Sequence, residues 1–235
     1  MGTQAKLEGT RFELTADDAM FPEALRRIPI PPEKLYIIGS VDALSTEGVA
    51  IVGARKATPY GKECAAKFAT MLAVRDIALV TGSARGCDAA ALRSCVEHGG
   101  RAAVFLGGGC DVVYPSENAG LFQQVVEKGG VIVSEHAWDV PPQPFMFRAR
   151  NRLTAGQSKA VLIIEAGLPS GTFSTADDAL ESCKEVFAVP GPINSPASRG
   201  ANRLIYQGAT PIVDEDTFAN QLHALFGKNA LSEQS

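Results

Sequence analysis

One short segment of this chain combines the residue types that a nucleic-acid strand requires. Phe145 to Arg152 holds three arginines and two phenylalanines and contains no acidic residue. Arginine offers a fork of donors to phosphate, and each base stacked on an aromatic ring contributes about 1–3 kcal/mol. The segment predicts a single-stranded nucleic-acid site, but it also fits an amphipathic helix with buried phenylalanines and acid-paired arginines. The candidate residues in it are Phe147, Arg148, Arg150, Asn151 and Arg152.

Small-residue turns form a second group of candidates, because each follows an apolar, β-rich run. In a parallel sheet such turns share one edge, where backbone N–H groups and helix N-termini bind anions. The turn residues predicted to approach phosphate are Gly53, Arg55, Gly82, Ser83, Arg85, Gly86, Gly107, Gly109, Ser170, Gly171, Thr172, Arg199 and Asn202. Two alternatives stay open at this point: Arg55 also fits a surface-loop residue, and Asp88 fits a helix N-cap better than a catalyst.

Motifs for small-ligand chemistry are missing from the sequence. The first turn is not the GxGxxG fingerprint of a dinucleotide site, and the Ser170–Gly171–Thr172 turn lacks the lysine of a Walker A loop. The three histidines stand at unrelated positions, and neither HExxH nor GxSxG occurs. Glu135 and Glu165 are the carboxylates best placed for chemistry. We therefore expect a binding protein that is not an enzyme and has neither cofactor nor metal.

The elements that must position these residues alternate between strand and helix. Seven strands are predicted: 49–52, 77–80, 101–106, 131–133, 160–164, 186–189 and 211–213. Helical spacing between them predicts an α/β fold, a doubly wound, mostly parallel, Rossmann-like sheet of about seven strands with helices on both faces. Residues 1–45, rich in proline, are predicted to form an arm packed on the core, 46–227 the Rossmann-like domain, and 228–235 a flexible tail.

Composition limits the class of protein. The chain has 235 residues, of which 46% are hydrophobic and 20% charged, as in an ordinary globular domain. It has no apolar run of about 18 residues and no signal-peptide pattern at its start, so we expect a cytoplasmic protein without membrane contact. Five cysteines without CxxC spacing predict neither disulfides nor zinc. A net charge of −4 argues against bulk electrostatic coating of duplex DNA.

From about Pro22 to Val213 the chain resembles the DprA/Smf family, DNA-processing proteins of bacterial transformation and recombination. The motifs that carry the resemblance are Val52–Arg55 with Tyr60–Gly61, Gly82 to Asp88, Gly107 to Gly109 with Asp111, Tyr114–Pro115 and Asn118, Ser134–Glu135, Phe147 with Arg150–Arg152, Glu165–Ala166, Ser170–Thr172 with Thr175–Ala176, Phe187–Gly191, and Asn202 with Leu204–Ile205 and Gly208–Ala209. So many matches in order are highly specific.

The resemblance implies a protein that binds single-stranded DNA at the strand ends, protects incoming DNA and loads the RecA recombinase, usually as a homodimer. It implies that Arg55 and the arginines around Phe147 meet phosphates, with Phe147 or Phe145 near a base. The chain departs from the family pattern at Ala54, where serine is usual, and at Arg148, where proline is usual. Further departures are Cys87, Leu92 and Ser182–Cys183–Lys184. The helical N-terminal and winged-helix-like C-terminal domains of many members do not fit in full within this length.

Two other functions stay open. One is a nucleotide-processing enzyme like the LOG-type phosphoribohydrolases, whose PGGxGTxxE signature carries a glutamate that the turn Ser170–Thr175 lacks. The other is a protein-interaction module that has lost DNA binding, which the acidic net charge makes plausible.

Overall fold

A nine-stranded β-sheet forms the middle layer of the protein in the computed structural model, which describes residues 6–227. The strands are β1 (Arg11–Thr15), β2 (Lys34–Gly39), β3 (Gly48–Val52), β4 (Leu79–Thr81), β5 (Ala102–Phe105), β6 (Val131–Ser134), β7 (Ser158–Ile163), β8 (Glu185–Ala188) and β9 (Thr210–Pro211). Their order across the sheet is β1-β2-β6-β5-β4-β3-β7-β8-β9. Strands β3 to β9 are parallel, whereas β1–β2 and β2–β6 pair antiparallel.

Helices cover both faces of the sheet. They are α1 (Glu23–Arg26), α2 (Pro59–Ala73), α3 (Cys87–Glu97), α4 (Ala119–Glu127), α5 (Pro144–Gly156), α6 (Thr172–Glu181), α7 (Arg199–Tyr206) and α8 (Glu215–Phe226). Alternate side chains of each central strand enter opposite cores, as the two-residue period of a strand requires. In β3, Val49 and Ile51 pack with α2, α3, α4 and α8, while Ala50 and Val52 pack with α1, α5, α6 and α7.

The fold class predicted from the sequence is confirmed, but the sheet has nine strands rather than about seven. The two additional strands lie in the proline-containing segment, which we expected to be an arm packed on the core. Its prolines lie between β1 and β2 and not within them, and Leu35, Ile37 and Ile38 of β2 are buried. The segment is therefore part of the sheet and is not only packed against it. The predicted tail, 228–235, lies outside the described residues.

The path of the chain creates a switch point at the centre of the sheet. From β3 the chain proceeds outward through β4 and β5 to β6, and α5 then returns it to β7 on the other side of β3. Loops that follow β3 and β7 therefore diverge to opposite faces and leave a crevice, which is where ligands of open α/β sheets bind. Among the described residues, no helix has the length and apolar content to cross a membrane.

Candidate nucleic-acid interface

A cleft of about 760 Å³ opens at this switch point, at the carboxyl edge of the parallel strands. Its walls are the turns after β3, β4 and β7, together with one face of α5 and the start of α6. The predicted site residues that line it are Gly53, Arg55, Gly82, Phe147, Arg148, Arg150, Asn151, Ser170, Gly171 and Thr172. Predicted site residues from four separate parts of the sequence therefore meet in the cleft.

Arg55 and Phe147 form the centre of the cleft surface. The exposed guanidinium of Arg55 lies 5.3 Å from the centroid of the Phe147 ring, within cation–π range. The same ring also contacts Tyr114, with centroids 5.5 Å apart and the two ring planes inclined at 53°. A Cβ atom at Gly107 would lie 2.7 Å from the Phe147 ring, so the glycine there makes room for the ring. These contacts hold a cation and a flat apolar face side by side.

A second exposed cation stands on the same wall. Arg148 lines the cleft from α5 and has no carboxylate within ion-pair distance among residues 6–227, which is also true of Arg55. Asn151, also on α5, donates from Nδ2 to Ser174 Oγ at 2.8 Å and to the Gly171 carbonyl at 3.4 Å. The amide therefore joins α5 to the start of α6 and fixes the width of the cleft.

Arg150 differs from the prediction, because it lies beneath the cleft surface. The side chain is only 4% exposed and donates to the Phe105 carbonyl. Burial lowers the pKa of Arg150 to about 10, although the nearby charge of Asp88 opposes the shift. A Cβ atom at Gly82 would lie 2.7 Å from both Arg150 Nη2 and Asp88 Oδ2. Arg150 is thus a structural cation in the floor, and Gly82 is required by close packing above it.

Asp88 joins the first two turns. We expected it at a helix N-cap, but Gly86 occupies the cap of α3 and Asp88 is the second residue of that helix. Its Oδ1 accepts from the Gly53 N–H at 3.3 Å, so that N–H is already partnered. Burial raises the pKa of Asp88 to about 6, against the lowering effect of Arg150.

Two other predicted phosphate ligands are paired with acids. Arg152 donates to both oxygens of Glu135 at 2.7 and 2.6 Å, and its Nε donates to the Ile30 carbonyl. Arg85 forms a two-bond ion pair with Glu117 at the exposed rim. The acid pairing considered for the arginine segment is therefore correct for Arg152.

Several glycines and polar residues of the predicted site serve the loops rather than the cleft. A Cβ atom at Gly109 would lie 2.1 Å from the Ala137 carbonyl, and Gly86 has a φ of 77° close to the Ala54 carbonyl. Ser83 is buried, and its carbonyl accepts from Asn118 Nδ2 at 3.3 Å. The structure thus places Ser83, Arg85, Gly86, Gly107 and Gly109 around the cleft but not on its wall.

The turn after β7 lies at the cleft, as the sequence predicted. Ser170, Gly171 and Thr172 line the cleft at the N-terminus of α6, and the Ser170 hydroxyl accepts from the Thr172 N–H at 3.1 Å. Gly171 is exposed, and no atom stands near the position of a Cβ. The N–H groups of residues 172–174 are bonded to Ser170 and Gly171, so the start of α6 favours negative charge through its helix dipole.

Arg199 and Asn202 do not reach the cleft. Asn202 accepts from the Gly191 N–H at 3.1 Å and donates to the Gly191 carbonyl at 2.9 Å, which secures the turn after β8. Arg199 is exposed at the start of α7, away from the residues that line the cleft.

Both carboxylates singled out for chemistry are engaged in structural contacts. Glu135 pairs with Arg152, as described above. Glu165 is 2% exposed and accepts from the backbone N–H and the hydroxyl of Thr58 at 2.9 and 2.6 Å. Thr58 in turn caps α2 by accepting from the Gly61 N–H. Among the described residues, no three His, Cys, Asp or Glu side chains group so as to hold a metal ion.

Among the cleft residues that sequence reasoning missed are Thr154, Phe173 and Asp177. Thr154 follows Phe147 by seven residues, so helical spacing puts the two on one face of α5. The signal for Thr154 was therefore present once α5 was extended beyond Arg152. Phe173 and Asp177 had no comparable signal in the sequence.

The strand order, the central crevice and the cation–aromatic wall define a class: a Rossmann-like α/β protein with an anion-favouring cleft at the switch point. Within that class, the model of the family described as DNA recombination-mediator protein A matches residues 13–223. The chain belongs to this family, as the sequence motifs predicted.

Relatives support the same assignment. Protein Smf of Escherichia coli (strain K12) is 37% identical over 209 residues, which cover 89% of this chain and 56% of that protein. The structure of DNA processing protein A from Streptococcus pneumoniae matches with a TM-score of 0.83 and 31% identity, over 89% of this chain and 73% of that one. DNA processing protein A from Helicobacter pylori, whose structure was determined to explain its single-stranded DNA binding mode, matches with a TM-score of 0.83 and 32% identity, over 94% and 99%. The chain spans about half the length of the first curated relatives that it matches.

Proposed function

We propose that this protein binds single-stranded DNA in the cleft at the switch point, protects incoming DNA and loads the RecA recombinase in natural transformation and recombination. The observation that carries the proposal is the wall formed by Arg55, Phe147 and Arg148. Both arginines are exposed and have no carboxylate partner in the described range; Arg55 lies over the Phe147 ring, and Arg148 follows Phe147 in α5 and lines the same cleft. Single-stranded nucleic acid binds to this combination through its phosphates and base faces.

The form of the cleft favours a polymer over a free nucleotide. Arg55 comes from the turn after β3 and Arg148 from α5, the start of α6 lines the same cleft, and Arg150 is buried in its floor. A mononucleotide site would concentrate its donors on one phosphate group, as a Walker A loop does. Here the donors are distributed, which suits successive phosphates of a strand.

The two carboxylates best placed for chemistry are already engaged in other contacts, which fits a binding role without catalysis. Glu135 and Glu165 are engaged by Arg152 and Thr58, and the turn after β7 has no glutamate in the position of the phosphoribohydrolase signature. A LOG-type hydrolase is therefore the weaker candidate. A pure interaction module is the third candidate; arginine and aromatic side chains also occur at protein interfaces, so DNA binding itself has to be measured.

Self-association, RecA as partner and a cytoplasmic location belong to the same proposal. Large exposed apolar side chains stand on the segments near β9, at one end of the sheet: Ile193, Tyr206 and Val213. Apolar side chains grouped on a surface are typical of a protein interface. They support the homodimer proposal, and functions that lie in the rest of the longer relatives are proposals as well.

The test is a titration of fluorescently labelled oligo-dT at low and moderate salt, together with an assay for base release from nucleoside monophosphates. We expect salt-sensitive binding without base release. Absence of binding at low salt would contradict the proposal, and base release would favour the hydrolase. An exposed arginine outside the cleft supplies the matched control: Arg93→Ala should bind as the unmodified protein does.

A further inference from the structure

A second pocket, of about 460 Å³, lies near the cleft, and the proposed function gives it no role. The cleft borders α5 and α6, whereas this pocket borders α2 and the segment that follows β8. Its lining includes Thr58, Tyr60, Pro190, Ser195 and Ser198, and we name it the Tyr60 pocket. The segment from the end of β3 to the first turn of α2 borders both spaces, because residues 53–55 line the cleft and residues 58 and 60 line the Tyr60 pocket.

The walls of the Tyr60 pocket suit a flat, uncharged group. Tyr60 is 43% exposed, and its hydroxyl donates to the Pro190 carbonyl at 2.9 Å, which holds the ring in place. Pro190 and Pro192 add apolar surface, and no lysine or arginine lines the pocket. The one carboxylate there, Glu165, is already bonded to Thr58. A phosphate would find no cation inside, whereas a ring could stack on Tyr60.

Unused hydroxyl groups face the same space. The hydroxyl groups of Ser195 and Ser198 make no hydrogen bond within residues 6–227, although Ser198 as a residue is only 3% exposed. Both hydroxyl groups are therefore available to a ligand in the pocket. Each serine can both donate and accept, which matches the mixed donor and acceptor edge of a nucleobase.

We propose that the Tyr60 pocket holds the base and sugar of a nucleotide further along the strand that lies in the cleft. The proposal rests on the single-stranded DNA function proposed above. Arg55 and Lys56, both exposed and without a carboxylate partner in the described range, stand on the turn between the two sites. Phosphates pass over this turn, and the base turns inward to stack on Tyr60.

The experiment compares oligo-dT of two lengths by fluorescence titration. A strand of about 4 nucleotides fills the cleft alone, and one of about 16 can reach both sites. Tyr60→Ala should leave the affinity for the short strand unchanged and weaken that for the long strand roughly fivefold to a hundredfold, the effect of one lost stacking contact. Tyr60→Phe keeps the ring and should bind the long strand nearly as the unmodified protein does.

The outcomes separate this inference from the proposed function. If the unmodified protein binds neither strand, the DNA function itself fails. If it binds both and Tyr60→Ala changes neither affinity, or both equally, the pocket is not a strand site. Equal loss in Tyr60→Phe and Tyr60→Ala would assign the effect to the Pro190 hydrogen bond and overturn stacking.

A measurement on the unmodified protein covers the case in which the variants do not fold. An oligonucleotide carrying 5-iododeoxyuridine at successive positions is photocrosslinked, and the modified peptides are identified by mass spectrometry. We expect two positions of crosslinking, one at Phe147 and a second at Tyr60. Crosslinks at Phe147 alone would refute the second site and leave the first intact.

Discussion

Arg55 and Phe147 come from turns and helices nearly a hundred residues apart in sequence, and the guanidinium of one lies 5.3 Å from the ring centroid of the other. The ring also contacts Tyr114, and the absence of a side chain at Gly107 leaves room for it. Because an aromatic face attracts the guanidinium, the ring orients the charge toward the open cleft. The arginine is thus positioned before any ligand arrives, which lowers the entropy lost on binding.

Arg55→Ala is expected to weaken oligo-dT binding on the order of tenfold and to lower the slope of log Kd against log salt by about 1, as for one lost phosphate contact. Arg55→Lys keeps the charge but loses the planar fork, so it should restore the slope more fully than the affinity. Titrations at several salt concentrations measure both quantities. A slope that does not change in Arg55→Ala would return this residue to a surface-loop role.

Arg148 and Arg150 are two residues apart, but their substitution should affect different properties: DNA binding for Arg148 and stability for Arg150. Arg150→Met removes a buried cation together with its hydrogen bond to the Phe105 carbonyl and its favourable charge beside the buried Asp88, which is expected to cost about 3 kcal/mol of unfolding free energy. Arg148→Ala removes an exposed side chain and should change stability by no more than about 0.5 kcal/mol, while it weakens DNA binding. Urea denaturation and oligo-dT titration of both variants test this. Equal stability losses would show that the assignment of floor and wall is wrong.

Gly109→Ala tests the packing of the turn after β5, and Gly120→Ala is its control. A Cβ atom at Gly109 would lie 2.1 Å from the backbone oxygen of Ala137, which cannot rotate away, so a loss of about 1–3 kcal/mol is expected. Gly120 lies in α4 with no atom within 4 Å of a Cβ position, and alanine there should stabilise the protein by about 0.5–1 kcal/mol. Thermal unfolding of the two variants gives the comparison. Similar melting temperatures would contradict the tight contact at Gly109.

The buried carboxyl of Asp88 predicts a pH dependence. Its pKa is raised from 3.8 to about 6 in the folded protein, chiefly by burial, so the folded state binds the proton more tightly than the unfolded chain does. The stabilising contribution is complete below about pH 4 and is lost as the pH rises through about 6. Protonation also removes a negative charge from beneath the cleft, so oligo-dT affinity should increase as the pH falls through the same range.

Asp88→Asn is the control for this pH effect, because the amide keeps the shape and cannot titrate. Asp178, in α6, also has a pKa raised to about 6, first by burial and then by Glu181 and Asp177. The part of the pH dependence that disappears in Asp88→Asn belongs to Asp88. If unfolding by urea depends on pH equally in both proteins, Asp88 does not contribute.

The sequence predicted the seven parallel strands well, because each one is an apolar run that ends in a small-residue turn. It also predicted which turns meet, since the carboxyl ends of parallel strands share an edge. It did not predict β1 and β2, whose strand pattern is short and lies among prolines. Nor did it predict that Arg148 is exposed and that Arg150 is buried. Only the angular position on α5 decides which of these side chains faces the opening and which is covered by Gly82.

The ends of the sheet differ from its centre in a way that bears on aggregation. Strand β1 carries Arg11 and Glu13, each engaged in an ion pair or hydrogen bond at the surface, and β9 is only two residues long and contains Pro211. Charged residues, short strands and proline at the edge all discourage pairing with a strand of another molecule. Contacts between copies would thus depend on side chains rather than on an extended sheet, so assembly can stop at a defined size.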